Sequence, residues 1–311
     1  MFIKKDLRKI NEILADREDS REELRLGRRS GEFKGGLRVI CSPHNIPALA
    51  QLRSLSVYDN LLTSIEGVGL LGNGATALLH LNLGRNQLRT LPQELGLVST
   101  LETLWLDDNL LDEFPLPVTE LTRLTELRLS GNGIPSVPAA IARLTALTTL
   151  ALDHNELTAL PPEIGALTAL RTLLVRQNAL EALPPQLGAL IALRSLVASS
   201  NCIRELPRAL GGLVALESLH ANGNRIALIC PELAALPRLA ALNLANNCIS
   251  VVPREWTEAW GEVDAATGRM TGGASGGNVV VTLIGNPIVA PQRPGSSTKK
   301  TREAAIEQMN E

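Results

Sequence analysis

Asparagine recurs every 23 residues along most of this chain, and this period constrains the fold more than any other feature. The eight asparagines in strict register are Asn86, Asn109, Asn132, Asn155, Asn178, Asn201, Asn224 and Asn247. Apolar residues, mostly leucine, stand at alternating positions before each one, as at Leu104 and Leu106, and a pair such as Leu160–Pro161 usually follows. A fixed period of this length is the signature of stacked structural repeats.

Two further copies of the unit flank the regular array. Asn60 precedes Asn86 by 26 residues, and Asn286 follows Asn247 by 39 residues, with a Gly-rich segment in each gap. Such insertions map to loops on one face of a repeat array and leave the stack intact. The sequence therefore predicts ten units, of which eight keep the strict spacing.

Each unit predicts a short strand followed by a sharp turn. Alternating leucines bury one face of the strand, and successive strands stack as a parallel sheet. The asparagine falls where the chain leaves the sheet, and its amide offers two donors and an acceptor to backbone groups that the buried turn leaves unpaired. We interpret the asparagines as a structural ladder with no catalytic role: Asn60, Asn86, Asn109, Asn132, Asn155, Asn178, Asn201, Asn224, Asn247 and Asn286.

The pattern resembles the leucine-rich repeat, LxxLxLxxNxLxxLPxxIxxLxxLxx. In particular it resembles the 23-residue class of the intracellular Ras-group and Ras-suppressor-like proteins. The resemblance covers residues 52–287, about three quarters of the chain. It implies an α/β solenoid of about ten repeats, with a curved parallel β-sheet on the concave face and short helical, 3₁₀ or extended segments on the convex side.

The N-terminal end of such a stack needs a cap, because a terminal repeat exposes apolar surface. We predict that residues 1–36 form a charged helical cap. Leu7, Ile10 and Leu14 stand at helical spacing, and a second helix is predicted from Arg21 to Arg29. Leu24 and Phe33 would cover the first strands. Residues 37–41, LRVIC, are expected to form a cap strand.

The solenoid is predicted to span residues 37–287. Near its C-terminal end, Trp256 falls in the slot that Ile164 fills in an earlier unit, so we expect Trp256 in the core. Residues 288–311 begin with a Pro- and Ser-rich stretch and are predicted to be a flexible tail.

The composition excludes several classes of function. A net charge of −2 argues against a general nucleic-acid binder, and 2% aromatic residues are too few for a platform that stacks single-stranded bases. The first residues lack the apolar region of a secretory signal, and no apolar stretch reaches the roughly 20 residues of a membrane span. We therefore expect a cytoplasmic, monomeric protein without membrane contact.

The four cysteines form no CxxC pair, which argues against zinc, and we expect neither another metal nor a cofactor. Cys202 and Cys248 stand two units apart, about 10 Å in a stacked sheet, which is too far for a disulfide. We expect both to be reduced thiols that fill small slots in a reducing compartment.

The residues between the inward leucines point onto the concave face. Trp105 belongs to this set, at a position where other units carry Asn82 or Val197. Exposed aromatic and arginine side chains dominate interface hot spots, so we predict that Trp105 anchors a partner and that charges around it supply complementarity. The predicted site, on the N-terminal half of the face, comprises Tyr58, Arg85, Trp105, Asp107, Asp108, Glu126, Arg128, Asp153, His154 and Arg176.

Alternatives stay open for this face. Trp105 would bind nothing if it only lay flat against Arg128, a cation–π contact worth about 0.5–1 kcal/mol at an exposed site. Asp107 and Arg128 would be unavailable if they only neutralised each other, and Tyr58 if it only packed against the cap.

The sequence contains no phosphate-binding loop and no nucleophile elbow, so we expect a protein that is not an enzyme. The first hypothesis is an interaction scaffold or adaptor that binds a protein or peptide. The resemblance to the Ras-group repeats implies a role in signalling, with a phosphatase or GTPase as a candidate associate. The alternative is a regulatory subunit that acts through its N-terminal helical segment, with the solenoid as a spacer.

Overall fold

The computed structural model describes residues 9–15, 22–33, 36–72, 76–264, 266–272 and 279–288. Within these ranges the chain coils into a solenoid around a parallel sheet of eleven strands. In chain order the sheet strands are β1 Glu23–Arg25, β2 Ser54–Ser56, β3 His80–Asn82, β4 Thr103–Trp105, β5 Glu126–Arg128, β6 Thr149–Ala151, β7 Thr172–Leu174, β8 Ser195–Val197, β9 Ser218–His220, β10 Ala241–Asn243 and β13 Val280–Thr282. The predicted fold class is confirmed.

The convex side consists mainly of single 3₁₀ turns. Each coil, a strand with the segment that follows it, has one such turn from β2 to β9, whereas the first coil has two and an α-helix follows β10. The 3₁₀ turns span Gly36–Val39, Ile46–Leu49, Val68–Leu71, Gln93–Leu97, Leu116–Glu120, Ala139–Arg143, Pro162–Ala166, Pro185–Ala189, Arg208–Gly212 and Pro231–Ala235. Proline precedes most of them in an extended conformation, as Pro161 does at φ −71° and ψ 148°. The restricted φ of proline favours the extended conformation that the chain adopts immediately before each of these 3₁₀ turns.

The core lies between the sheet and the 3₁₀ turns. The central residue of each strand points inward, and the register sets these residues side by side, as Leu104 beside Leu127 and Leu127 beside Leu150. All three are fully buried. Burying a leucine contributes about 1.5–3 kcal/mol, so a column of identical slots supplies most of the driving force for stacking.

The ladder asparagines hydrogen-bond each coil to the one before it. Asn155 is representative: its Nδ2 donates to the carbonyls of Leu129 at 3.0 Å and Leu152 at 3.1 Å. Its Oδ1 accepts the backbone N–H of Ile134 at 3.1 Å. Asn60 makes the same type of contact to the first coil, with its Nδ2 donating to the Leu26 carbonyl at 2.7 Å.

The helix predicted from Arg21 to Arg29 is wrong. Residues Glu23–Arg25 form β1, which pairs in parallel with β2 and adds an eleventh coil to the ten predicted. Leu24 and Leu26 are buried at alternating positions, which is the two-residue periodicity of a strand. The spacing of the charged residues around them only resembles that of a helix. Arg21 itself lies outside the described residues.

The cap strand predicted at residues 37–41 is also wrong. The segment contains the 3₁₀ turn Gly36–Val39, and Ile40 N–H donates to the Leu37 carbonyl at 2.9 Å. Leu37 and Ile40 are buried because a spacing of three puts both on the inner side of a 3₁₀ turn. This segment is therefore the convex arm of the first coil.

The N-terminal end is closed by helix α1, Ile10–Ala15, which buries Ile10 and Ile13. The backbone N–H of Ile10 donates to Glu32 Oε2 at 2.8 Å, which fixes the start of the helix against the first coil. Leu7 lies outside the described residues, as does the tail from residue 289.

The C-terminal end is closed by helix α2, Arg254–Trp260, and the hairpin of β11, Gly261–Val263, with β12, Met270–Gly272. Trp256 is fully buried, as predicted. The hairpin covers the free edge of β13: Leu283 N–H donates to the Gly268 carbonyl at 2.7 Å, and Arg269 bridges to Thr282. Covering an edge in this way blocks further strand addition. No helix in the described ranges is long and apolar enough to cross a membrane.

The cysteines occupy different environments. Cys41 and Cys230 are buried, and burial raises the pKa of their thiols to about 12 and about 11, which keeps both protonated. Cys202 is half-buried, and the prediction that Cys248 fills a slot is wrong because Cys248 is exposed. The residue after each ladder asparagine faces outward, so that position is not part of the core.

Candidate interaction surface

Trp105 lies on the concave side of β4, where its neighbour Leu104 points into the core. The indole is half-buried, and the guanidinium carbon of Arg128 lies 4.9 Å from the ring centroid. The indole Nε1–H donates to Glu126 Oε1 at 3.1 Å, and Arg128 Nε donates to the same oxygen at 2.5 Å. We call Trp105, Glu126 and Arg128 the Trp105 cluster.

The Trp105 cluster fixes the orientation of the indole. One ring face is covered by Arg128, so the stacking proposed as an alternative is present. That contact is worth about 0.5–1 kcal/mol and does not exclude binding, because the cluster still faces the hollow of the sheet. A ring already held in one rotamer loses less conformational entropy when a partner binds it.

A second aromatic–arginine pair lies two strands away. The guanidinium carbon of Arg85 is 5.7 Å from the Tyr58 ring, and Arg85 Nε also donates to Asp108 Oδ2 at 3.3 Å. The strand between Tyr58 and Trp105 contributes Gly84, where an added Cβ would meet the Tyr58 ring at 3.3 Å. The absence of a side chain at Gly84 leaves room for the Tyr58 ring over the sheet.

Asp107 and Asp153 form hydrogen bonds with the backbone beside the sheet. Each sits at the end of a strand, and its Oδ1 accepts a backbone N–H from the next coil, that of Ser130 at 2.9 Å and that of Arg176 at 2.6 Å. Burial raises the pKa of both carboxyls, and these hydrogen bonds offset part of that rise. The ion pair of Arg128 is with Glu126, so Asp107 and Arg128 do not neutralise each other through direct contact.

Replacing Asp153 with asparagine is expected to raise the free energy of unfolding at pH 7 by up to about 1 kcal/mol. Asparagine keeps an oxygen for the Arg176 N–H and removes the half-buried charge. Because folding raises this pKa, the penalty is absent below the unfolded value near pH 4 and grows as the pH rises through the folded value. Urea titrations at pH 3 and pH 7 check this, and an equal difference at both would contradict it.

The remaining predicted residues line the same surface. His154 and Arg176 are exposed, as are Arg85, Asp108 and Arg128. In the described part of the chain no ion pair joins the Arg176 guanidinium to an acid. The ten predicted residues thus share one side of the N-terminal coils, although Asp107 and Asp153 are committed to backbone contacts.

Sequence reasoning missed two residues that extend this surface. The position before each ladder asparagine, and before Arg29 in the first coil, forms a row along the rim of the sheet. In the first four coils this row holds Arg28, Asp59, Arg85 and Asp108, and we call these four residues the charged rim. Arg28 Nε pairs with Asp59 Oδ2 at 3.0 Å, and Arg85 Nε pairs with Asp108 Oδ2 at 3.3 Å. Asp59 was detectable from its place before Asn60, whereas Arg28 was assigned to a helix.

The charged rim is held in a strained backbone conformation. All four residues have positive φ, from 51° at Arg85 to 61° at Arg28. The left-handed region costs roughly 1–2 kcal/mol for most residues, less for Asp, while an exposed ion pair contributes about 0.2–1 kcal/mol. The ion pairs therefore do not offset the strain. The same left-handed conformation recurs at this position in the other seven coils, at Gly131, His154, Gln177, Ser200, Gly223, Asn246 and Gly285, so it is a property of the turn in every coil.

A model of the leucine-rich repeat region matches residues 141–262. The match falls on coils whose strands, convex turns and asparagine contacts are those described above. The chain is a leucine-rich repeat protein. No curated protein sequence matches this leucine-rich repeat protein.

The leucine-rich repeat protein is similar to several solved structures. A Leptospira interrogans leucine-rich repeat protein is 28% identical over 82% of this chain and 66% of its own, with a TM-score of 0.60. A Listeria monocytogenes internalin is 25% identical over 83% and 68%, with a TM-score of 0.65. A plant peptide hormone receptor, solved in complex with RGF2, is 26% identical over 76% and 40%, with a TM-score of 0.59. The chain thus spans about two thirds of the bacterial proteins and two fifths of the receptor.

The concave face of this leucine-rich repeat protein changes character toward its C-terminal end. From β8 onward, no acidic side chain, lysine or arginine lies at the outward strand positions or on the rim; they hold Ser195, Val197, Ser199, Ser200, Ser218, His220, Asn222, Gly223, Ala241, Asn243, Ala245, Asn246, Val280, Thr282, Ile284 and Gly285. Several of these polar groups bond one another, as Ser199 Oγ does with Asn222 Oδ1 at 2.7 Å. At these positions of the concave face, the acidic, lysine and arginine side chains and the rings of Tyr58 and Trp105 are therefore confined to the N-terminal half.

Proposed function

We propose that this leucine-rich repeat protein is a non-enzymatic scaffold or adaptor that binds a protein or peptide on the N-terminal half of its concave face. The observation that carries the proposal is the Trp105 cluster, a tryptophan held in one orientation on the hollow side of the sheet. Tryptophan and arginine are the residues most enriched in interface hot spots. Charges flank the cluster on both sides, which favours a partner of defined register.

The comparisons support a binding role at the level of the fold. Leucine-rich repeat proteins generally mediate protein–protein interactions, and the plant receptor among the similar structures is in complex with RGF2. The fold is typically non-enzymatic, and the matching model is that of a repeat region. The 23-residue period supports membership of the intracellular Ras-group class, and hence a cytoplasmic signalling role, as part of the same proposal.

The alternative role for the N-terminal segment is weakened by the position of β1. Leu24 and Leu26 are buried, and Glu23–Arg25 pairs with β2. Deleting residues 1–36 would expose the core of the next coil, so loss of a partner after that deletion would not identify the segment as the binding element. Point variants of outward residues are the appropriate test.

Trp105→Ala is expected to weaken partner binding at least tenfold, which corresponds to about 1.4 kcal/mol or more. The matched control is His220→Ala, at the corresponding outward position of β9, which should retain the partner. Affinity capture from a cell lysate followed by mass spectrometry, with binding constants for each captured partner, measures both. Unchanged binding by Trp105→Ala, or equal losses in the two variants, would refute the proposal. Circular dichroism would verify that both variants are folded.

A further inference from the structure

The charged rim alternates in sign from one coil to the next. Arg28, Asp59, Arg85 and Asp108 follow one another along the first four coils, and their side chains are 72%, 34%, 55% and 59% exposed. The sign therefore reverses with every step along the solenoid axis. The row also adjoins Tyr58, because the guanidinium carbon of Arg85 lies 5.7 Å from the centroid of that ring. A partner seated on Tyr58 therefore lies beside the charged rim.

The turn itself does not require charged side chains on the rim. Seven other coils form the same left-handed turn with no lysine, arginine, aspartate or glutamate at this position: Gly131, His154, Gln177, Ser200, Gly223, Asn246 and Gly285. The two ion pairs within the rim are exposed and contribute only about 0.2–1 kcal/mol each, so the fold gains little from the four charges. The charges of the first four coils are therefore available to a partner.

The spacing of the row selects the secondary structure of the partner. Adjacent strands lie about 4.8 Å apart, so four rim residues span about 14 Å. Three turns of an α-helix span about 16 Å, whereas same-side residues of an extended strand are about 6.7 Å apart and span about 20 Å over the same three steps. Only the helix can place one charge opposite each coil, because its three turns differ from the length of the row by only about 2 Å.

We propose that the charged rim binds an α-helix of the partner that carries alternating charges on one face, one charge for each turn. Glutamates at positions i and i+7 face Arg28 and Arg85, and lysines at i+4 and i+11 face Asp59 and Asp108. The apolar side of the helix faces Tyr58 and Trp105. This inference rests on the proposed function and specifies the class of partner that the concave site accepts.

Two synthetic stapled peptides of four helical turns test the proposal. The first carries Glu, Lys, Glu and Lys at i, i+4, i+7 and i+11, and the second carries the same residues in the order Glu, Glu, Lys and Lys. In the chain direction proposed, every charge of the alternating peptide faces an opposite rim charge, whereas the blocked order mismatches two rim charges in either direction. Fluorescence anisotropy should give at least tenfold tighter binding of the alternating peptide, with the difference decreasing as salt is added.

A double variant reverses the expected preference. Asp59→Arg with Arg85→Asp changes the rim order to two positive charges followed by two negative charges, at unchanged net charge. This variant should bind the blocked peptide at least tenfold more tightly than the alternating one. Equal binding of the two peptides by the wild type, no binding of either, or an unreversed preference in a folded variant overturns the proposal.

Should the variant fail to fold, the wild-type comparison decides alone. Loss of a cellular partner in Trp105→Ala, with no discrimination between peptides, would leave the proposed function standing and remove only the helix.

Discussion

Replacing Asn155 with alanine is expected to lower the free energy of unfolding by about 3–5 kcal/mol. The side chain is buried, and its loss leaves the N–H of Ile134 without its side-chain partner, while the carbonyls of Leu129 and Leu152 keep only their hydrogen bonds from Asn132 and Asn178. The unpaired N–H costs about 1–3 kcal/mol, and each hydrogen bond lost from a carbonyl that keeps another costs about 0.5–1.5 kcal/mol. The effect is large because one amide bonds two successive coils at once.

Asn155→Asp separates the donors from the acceptor at this position. A carboxylate can accept the Ile134 N–H, but it cannot donate to the two carbonyls and places a buried charge beside them. At pH 7 this variant should be at least as unstable as Asn155→Ala, and it should recover as the pH falls and the carboxyl gains a proton. Urea denaturation at pH 4 and pH 7 distinguishes the two variants.

Glu156→Ala is the matched control for the asparagine ladder, because Glu156 is the next residue and is exposed. Its expected change is within about 0.5 kcal/mol. Hydrogen exchange should further show that Asn155→Ala loosens the middle coils first, since each repeat contacts mainly its neighbours. A loss below about 1 kcal/mol, or protection lost uniformly along the chain, would contradict the structural role given to the ladder.

The interior coils can be predicted from sequence because two independent signals coincide in each. An inward leucine such as Leu150 and a turn residue such as Asn155 share the 23-residue period, so every neighbour has a defined face. The first coil lacks the second signal, because Arg29 stands where other coils have asparagine. In addition, Leu24 pairs with Leu55, which is 31 residues away. The alternation of Leu24 and Leu26 is too short a pattern to predict a strand by itself, so β1 depends on its pairing with β2.

The candidate site is only partly predictable for a related reason. The outward direction of Trp105 follows from strand alternation, and its proximity to Arg128 follows from the 23-residue period. The bond from the indole to Glu126 does not follow, because long side chains choose among several neighbours within reach. The left-handed backbone of Arg85 was also hidden, since arginine has no preference for that conformation.

Trp256→Ala is expected to lower the free energy of unfolding of the C-terminal coils by about 3–5 kcal/mol, the usual range for a buried aromatic replaced by alanine. Trp256 is fully buried, and its Nε1–H donates to the Cys230 carbonyl at 3.1 Å. Its ring packs edge-on against Trp260 at a centroid distance of 4.9 Å. Without it, helix α2 loses its main contact with the last convex turn.

Trp256→Phe separates packing from hydrogen bonding in this cap. Phenylalanine keeps most of the apolar surface and the contact with Trp260 but leaves the Cys230 carbonyl without the indole N–H. The free energy of unfolding of Trp256→Phe should therefore fall by roughly half as much as that of Trp256→Ala. Glu255→Ala, on the exposed side of the same helix, should change the stability by less than about 0.5 kcal/mol. Circular dichroism during urea denaturation gives all three values, and equal stability of Trp256→Ala and Trp256→Phe would contradict the packing argument.

The position of Trp256 also predicts what its loss leaves unchanged. A solenoid transmits stability through contacts between neighbouring coils, and six strands separate β4 from β13, beside which the cap lies. Binding at Trp105 should therefore persist in Trp256→Ala at temperatures where hydrogen exchange already reports opening of the C-terminal coils. Simultaneous loss of binding and of C-terminal protection would mean that the coils unfold as one unit, and the two halves of the concave face would then not be independent surfaces.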